Sequence, residues 1–102
     1  MTTIFVLFNL KQGADRVEYE AWAKSTDIPV VNRLASVASF DVNRASRLLM
    51  GEGTPPFEYL EVIRVADMER FGAEIGTKSM QGIAERFQSF AEKPIFIVTE
   101  TV

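Results

Sequence analysis

The sequence predicts an α+β fold, in which a ferredoxin-like β-α-β-β-α-β subunit forms one antiparallel sheet with helices on a single face. The main observation is the order of short apolar runs and amphipathic stretches along the chain. The length of 102 residues suits a single domain over residues 1–102. Hydrophobic residues make up 47% of the chain, which is enough for a real core.

The first strand and the first helices follow from local signals. Residues 3–9 (TIFVLFN) are apolar and rich in β-branched and aromatic side chains, which predicts a buried strand. Asp15 is the predicted N-cap of a helix that runs to about residue 25, and Glu18 has the spacing of a capping box. Pro29 marks a break, so residues 28–34 are expected to form a second, short helical piece.

The remaining elements complete the pattern. Residues 37–48 alternate in polarity and predict a long second strand, and residues 57–65 predict the third. A short helix is expected from the cap at Asp67 to Gly76, followed by an amphipathic helix over residues 77–91. The last strand is predicted over residues 95–102.

Both faces of the first strand are apolar. Ile4, Val6 and Phe8 lie on one face, and Phe5 and Leu7 lie on the other. Because the predicted fold carries helices on one sheet face only, the second apolar face would be open in a monomer. The simplest cover is a second copy related by two-fold symmetry, so we expect a homodimer.

The chain contains no histidine and no cysteine, which limits its chemistry. No imidazole can titrate near neutral pH or hold zinc, and no thiolate can act as a nucleophile. Only hard cations would suit the oxygen ligands that remain, and no loop groups carboxylates at a suitable spacing. The sequence also lacks nucleotide, flavin and haem signatures. We therefore expect neither a metal nor a cofactor.

The charge and hydropathy of the chain limit which binding partners and which cellular location are expected for it. The net charge is −3 and the basic residues are scattered, so no nucleic acid or anionic membrane is expected as a partner. No apolar stretch approaches the length of a membrane span, and the N-terminus lacks the features of a signal peptide. The predicted location is the cytoplasm.

The parity of the two middle strands suggests candidate catalytic residues. Ser39, Asp41 and Asn43 share one face of the second strand, and Tyr59 and Glu61 share one face of the third. If these faces coincide, Asp41 and Glu61 form a carboxylate pair beside a phenol, and enclosure would raise their pKa values towards neutrality. The alternative is that both carboxylates are solvated or form ion pairs at the dimer rim with Arg44, Arg47 or Arg64.

Three short segments carry a resemblance to a known family. They are residues 18–22 (EYEAW), Ile28-Pro29 and residues 40–44 (FDVNR). They resemble the helix and second-strand signature of dimeric α+β barrel proteins, and the whole chain resembles the RedY-like, HapK-type group of prodigiosin-type pigment clusters. The resemblance implies a dimeric barrel without a cofactor that helps to build a tripyrrole or a related aromatic secondary metabolite.

The resemblance also implies roles for three residues. In cofactor-independent oxygenases of this superfamily an amide and a tryptophan line the pocket, and Asn9 and Trp22 are the matching residues here. The alternatives are that Asn9 satisfies the backbone of a turn and that Trp22 packs in the core. Asp27 stands where relatives often keep a histidine, so it is expected to be either a substitute base or the cap of the second helical piece.

Together these observations predict a protein that binds a small aromatic or pyrrole-like intermediate between the sheet and the helices. Asp41 or Glu61 would then promote a proton-transfer or condensation step, and Tyr59 would orient the ligand. Two alternatives remain open. One is a non-catalytic carrier of a reactive intermediate, and the other is a cofactor-free monooxygenase that depends on Asn9 and Trp22.

Overall fold

A four-stranded antiparallel sheet with helices on one of its faces forms the structure, a computed structural model that describes residues 1–102. The strands are β1 (Thr2–Leu10), β2 (Val37–Arg44), β3 (Tyr59–Val65) and β4 (Ala91–Glu100). Their order in the sheet is β2-β3-β1-β4, so the two strands joined by no helix, β2 and β3, are neighbours. The predicted α+β, ferredoxin-like fold class is confirmed.

The helices cover one side of this sheet. They are α1 (Arg16–Trp22), α2 (Ile28–Asn32), α3 (Met68–Ile75) and α4 (Lys78–Phe90), with a π-helical segment (Ala23–Asp27) between α1 and α2. None of them combines the length and the apolar character that crossing a bilayer requires. The first helix is predicted to run to about residue 25. Its α-helical part ends at Trp22, and the chain continues as the wider π-helical segment.

Short polar side chains cap three of the helices, at Asp15, Asp67 and Thr77, and the caps at Asp15 and Asp67 are those that the sequence predicts. The Asp15 carboxylate accepts a hydrogen bond from the Val17 amide at 2.9 Å, and Asp67 accepts one from the Arg70 amide at 3.1 Å. The predicted capping box at Glu18 does not form. Its carboxylate instead accepts a hydrogen bond from the Arg86 guanidinium at 2.9 Å, which joins α1 to α4.

Two strand boundaries differ from the prediction by more than two residues. The second strand ends at Arg44, because pairing with β3 stops there, opposite Tyr59. The last strand begins at Ala91, earlier than Pro94 suggested, because a bulge absorbs the proline. Lys93 has a φ of 43° within this bulge, and β4 is an edge strand, where a missing amide donor is tolerated.

A second irregularity changes which residues share a face of β2. The register shifts between Val37 and Ser39, so that Val37 and Phe40 are both buried against the helices. Strict alternation predicts Val37 on the face of Ser39, and that expectation is wrong because the extra residue of the bulge reverses the parity of the preceding chain.

The core lies between the helices and the side of the sheet that carries Ile4, Val6 and Phe8. Phe8 is at its centre and is fully buried. Its ring stacks on Tyr59, with centroids 5.4 Å apart, and meets the ring edges of Tyr19 at 5.6 Å and Phe87 at 4.9 Å. Phe8 therefore joins β1 to β3, α1 and α4 in one aromatic cluster.

The opposite side of the sheet, which we call the open face, has no helix over it. Phe5 and Leu7 of β1 lie on it beside Val62 and Leu60 of β3. On β4, Ile97 remains 43% exposed. The second apolar face predicted from the sequence is thus present in the folded chain.

Replacing Phe8 with alanine tests the importance of this cluster. We expect the free energy of unfolding to fall by about 3–5 kcal/mol, because the ring leaves a cavity that its neighbours cannot fill. Denaturation in urea measures the change. Val17→Ala, at a position 75% exposed on α1, is the control and should change stability by less than about 0.5 kcal/mol. Equal stability of the two variants would contradict a central role for Phe8.

Candidate functional site

A cavity of about 270 Å³ lies between the helix-covered side of the sheet and helices α2, α3 and α4. Most of its wall is apolar. Its main aliphatic and aromatic contributors are Val6, Val31, Ile63, Phe71, Met80 and Phe87. The polar side chains on the wall are Asp27, Glu61 and Gln88, so the two carboxylates are its sole charged groups.

Glu61 lies in the middle of β3 and points to the helix-covered side. The register places it between Val6 of β1 and Val42 of β2, and it is only 5% exposed. Its Oε2 accepts a hydrogen bond from the Tyr19 hydroxyl at 3.3 Å. Burial raises the pKa of Glu61 to about 8, the negative charge of Asp27 adds to this effect, and the bond from Tyr19 opposes it.

Asp27 is the last residue of the π-helical segment and is 4% exposed. The expectation that it caps α2 is wrong, because its backbone is helical, with φ −59° and ψ −56°, and its side chain makes no capping bond. A capping residue normally has extended backbone. Its side chain instead lines the cavity, and burial raises the pKa of Asp27 to about 7.

The two raised pKa values have a chemical consequence. A pair of carboxyl groups that ionises near neutral pH holds an acid and a base in one site under physiological conditions. Proton transfer is most effective when the group that gives or takes the proton has a pKa near the working pH. Without any histidine, Asp27 and Glu61 are thus suited to general acid–base chemistry.

Tyr19 fixes one member of this pair. Its ring is fully buried and meets the edges of Tyr59 at 4.9 Å and Phe90 at 5.3 Å, which leaves the hydroxyl directed to Glu61. Burial raises the pKa of Tyr19, so the hydroxyl stays protonated and donates. The contact of Tyr19 with Glu61 depends on how α1 packs across β3, which no local sequence signal shows.

The expected shared face of Asp41 and Glu61 is wrong. In the register of β2 and β3, Asp41 stands opposite Val62, whereas Glu61 stands opposite Val42. Paired residues project to the same side of a sheet, and successive residues project to opposite sides. Asp41 therefore lies on the open face, across the sheet from Glu61 and the cavity.

Ser39 and Asn43 lie on the open face with Asp41. The Arg64 guanidinium is 3.8 Å from the Asp41 carboxylate and donates a hydrogen bond to the Ser39 hydroxyl at 3.4 Å. The Asn43 amide donates to the Leu60 carbonyl at 3.4 Å. The contact with Arg64 matches the alternative for Asp41, an exposed ion pair, whereas the buried Glu61 does not follow that alternative.

Asn9 and Trp22 do not line the cavity either. The Asn9 amide donates to the Pro56 carbonyl at 3.2 Å, and its oxygen accepts from the Glu58 amide at 2.9 Å, so it fastens the loop before β3 to the end of β1. Trp22 packs against Tyr19, with ring centroids 6.2 Å apart. Both side chains are in the structural roles given above as alternatives.

Tyr59 lines a separate, smaller hollow of about 200 Å³. Its hydroxyl donates to the Glu20 carboxylate at 2.6 Å, and the Arg44 guanidinium binds the same carboxylate at 2.8 Å. The bond from Tyr59, together with the contact to Arg44, holds the pKa of Glu20 below its usual range. Tyr59 is thus held apart from the Asp27–Glu61 cavity.

No group of three or more aspartates or glutamates in the structure is arranged to hold a metal ion. The cavity presents two carboxylates and one amide to a ligand. Its residues can therefore give, take and orient protons on a bound molecule.

Comparisons with known proteins place the chain in a family. Residues 2–102 match the model of the family described as REDY-like protein HapK. The crystal structure of HapK from Hahella chejuensis is similar, with a TM-score of 0.81 and 31% identity over 100% of this chain and 93% of that one. No curated protein sequence matches the chain at a significant level.

More distant structures share the fold alone. SnoaB, a cofactor-independent oxygenase from Streptomyces nogalater, has a TM-score of 0.75 and 11% identity over 98% of this chain and 91% of that one. A dimeric ferredoxin-like protein of unknown function from Bacteroides fragilis has a TM-score of 0.69 and 10% identity, over 98% and 95% of the two chains.

The buried carboxylates predict an unusual dependence of stability on pH. A carboxyl group whose pKa is raised by folding favours the folded state when protonated, so its contribution is lost as the pH rises through about 7 for Asp27 and about 8 for Glu61. Glu61→Gln should therefore gain stability over the natural protein between pH 5 and pH 9, by roughly 2–4 kcal/mol at the alkaline end.

Urea denaturation at a series of pH values measures this difference, and Asp27→Asn should show the same trend. Asp41→Asn removes an exposed carboxylate and is the matched control. A constant difference between Glu61→Gln and the natural protein across this pH range would show that Glu61 titrates normally.

Proposed function

Because this chain belongs to the RedY-like HapK family, we propose that it binds a small aromatic intermediate of secondary metabolism in the Asp27–Glu61 cavity and promotes proton transfer on it. The family membership covers nearly the whole chain. The observation that carries the proposal is the pair of carboxylates in an otherwise apolar cavity of about 270 Å³. An apolar pocket with few convergent polar groups is typical of small-molecule sites.

The proposed chemistry uses the two carboxyl groups in complementary states. In a condensation between an electron-rich ring carbon and a carbonyl group, the protonated carboxyl gives its proton to the carbonyl oxygen. The ionised carboxylate takes the proton that the ring carbon releases when the new carbon–carbon bond has formed. The same pair can move a proton within one ligand, and neither reaction needs an oxidant or a cofactor.

The geometry around Glu61 supports this division of roles. Tyr19 holds one oxygen of Glu61 at 3.3 Å, which limits the orientations of the carboxyl group. The negative charge of Asp27 disfavours ionisation of Glu61, so the pair holds about one proton between pH 7 and pH 8. The Asp27 side chain makes no capping hydrogen bond and lines the cavity, where it can meet a ligand.

The alternatives have different support. A carrier that performs no chemistry needs only the apolar cavity. The variants described below therefore distinguish the carrier hypothesis from the enzyme hypothesis. A cofactor-free monooxygenase was expected to depend on Asn9 and Trp22. Those side chains fasten a loop and pack against Tyr19, and neither lines the cavity.

Deletion of the gene in the producing organism, followed by mass spectrometry of the accumulating intermediates, tests the function directly. We expect one intermediate to accumulate, and the mass of the missing product to identify the reaction. Complementation with Asp27→Asn combined with Glu61→Gln should lower product formation by about 100-fold or more, because general acid–base catalysis contributes about that much.

Two further variants separate the possible outcomes. Asp41→Asn is the matched control and should restore the product, because Asp41 lies across the sheet from the cavity. Ala84→Trp, on the cavity wall, should abolish function by filling the cavity. Full product from the double carboxylate variant, together with loss in Ala84→Trp, would favour a carrier over a catalyst.

We also propose that the open face pairs with a second copy of the chain to form a homodimer. The support is the apolar surface that Phe5, Leu7 and Ile97 present on the side of the sheet without helices. A surface of this kind is a common interface between two-fold related subunits. The related protein from Bacteroides fragilis is described as dimeric.

Leu7→Lys tests this assembly. Burial of an unpaired ammonium group in the interface should weaken the dimer by about 100-fold or more. Light scattering during gel filtration, over a range of protein concentrations, measures the dissociation. Val17→Lys, on the exposed surface of α1, is the control and should leave the dimer intact. A monomeric natural protein at all concentrations would overturn the proposal.

A further inference from the structure

We propose that the cavity selects its ligand by charge, so that it takes aromatic molecules with a hydrogen-bond-donating nitrogen, neutral or cationic, and excludes anionic ones. This inference rests on the proposed function, because it names the class of ligand for the same cavity.

The charges on the cavity wall are the first observation. Strands β1, β3 and β4 and helices α3 and α4 contribute no lysine or arginine to the wall, and neither does α2. The sole charged groups are Asp27 and Glu61, and the one other polar group is Gln88. An anionic ligand would therefore meet a pair of carboxyl groups that carries about one negative charge near neutral pH, and no cation, between mostly apolar walls where repulsion is weakly screened.

The second observation is that the carboxylate oxygens on the cavity wall receive few hydrogen bonds from the protein. Asp27 is 4% exposed and lines the cavity, its side chain makes no capping hydrogen bond, and burial alone accounts for its raised pKa. Glu61 accepts one such bond, from Tyr19. Whichever of the two carboxyl groups is ionised has room for about four hydrogen bonds and can only accept them. A ligand N–H group would supply what these oxygens lack, whereas a ligand carboxylate would not.

The shape of the wall accounts for the aromatic part of the ligand. Phe71, Phe87 and Phe96 lie on it, and the rings of Phe87 and Phe96 have centroids 6.3 Å apart at an interplanar angle of 69°. Phe96 lies on the edge strand β4 and is 58% exposed, so the aromatic wall reaches the protein surface. A flat ring can stack against these faces while its nitrogen meets the carboxylates.

The smaller hollow provides a contrast. Lys24 and Arg44 line it together with Glu20, so it is the place where an anionic molecule would find a cation. Arg44 is already bound by the Glu20 carboxylate at 2.8 Å. Any weak binding of an anion at this second position should not respond to substitutions at Asp27 or Glu61.

Three probes that share an indole ring test the inference by isothermal titration calorimetry at pH 7.5. Tryptamine is cationic, 3-ethylindole is neutral and indole-3-propionate is anionic. We expect tryptamine and 3-ethylindole to bind, and indole-3-propionate to bind at least about 10-fold more weakly than 3-ethylindole. In the double variant Asp27→Asn and Glu61→Gln this ratio should fall to about 2-fold or less. Asp41→Asn should keep the ratio of the natural protein.

The outcomes distinguish the inference from the function that underlies it. Equal binding of the three probes, or a preference for the anion, overturns the charge selection and leaves the cavity as a ligand site. A preference that persists in the double variant assigns the selection to other groups and also overturns the inference. Failure of all three probes to bind overturns both the inference and the proposed function. Thermal denaturation of the double variant verifies that it is folded.

Discussion

The register of β3 against its two neighbours is the constraint on which the site depends. Side chains alternate along a strand, so Glu61 reaches the helix-covered side because it is paired with Val6 and Val42. A shift of one residue would exchange it with Val62 and place the carboxylate on the open face. The buried ring of Phe8 favours this register, since a slip of β1 by one residue would turn Phe8 out of the core.

Packing of the aromatic cluster offsets the unfavourable free energy of burying two carboxyl groups. Asp27 and Glu61 are almost fully enclosed, and an ionised carboxylate in such surroundings destabilises the folded state. The cluster of Phe8, Tyr19, Tyr59 and Phe87 supplies a large buried aromatic area beside them. Tyr19 belongs to both sets, because its ring packs in the core and its hydroxyl binds Glu61.

The sequence predicts correctly those features of the fold that depend on interactions between residues close together in the chain. The order of elements follows from hydrophobic periodicity, and the caps at Asp15 and Asp67 follow from short polar side chains before apolar runs. The candidate site depended on longer-range facts. Which face of β2 meets Glu61 is set by pairing between strands, so Asp41 could not be placed from its own strand. The position of Asp27 depends on a π turn, for which no reliable local signal exists.

The sheet separates the cavity from the open face by the thickness of a single layer. Successive residues of the same strand therefore lie in different environments, with Glu61 facing the cavity and Val62 facing outwards. Substitution of a residue that faces the cavity can alter which ligands bind there without disturbing the residues on the open face. Such a division lets the cavity wall be changed one residue at a time while the outward surface of the sheet stays the same.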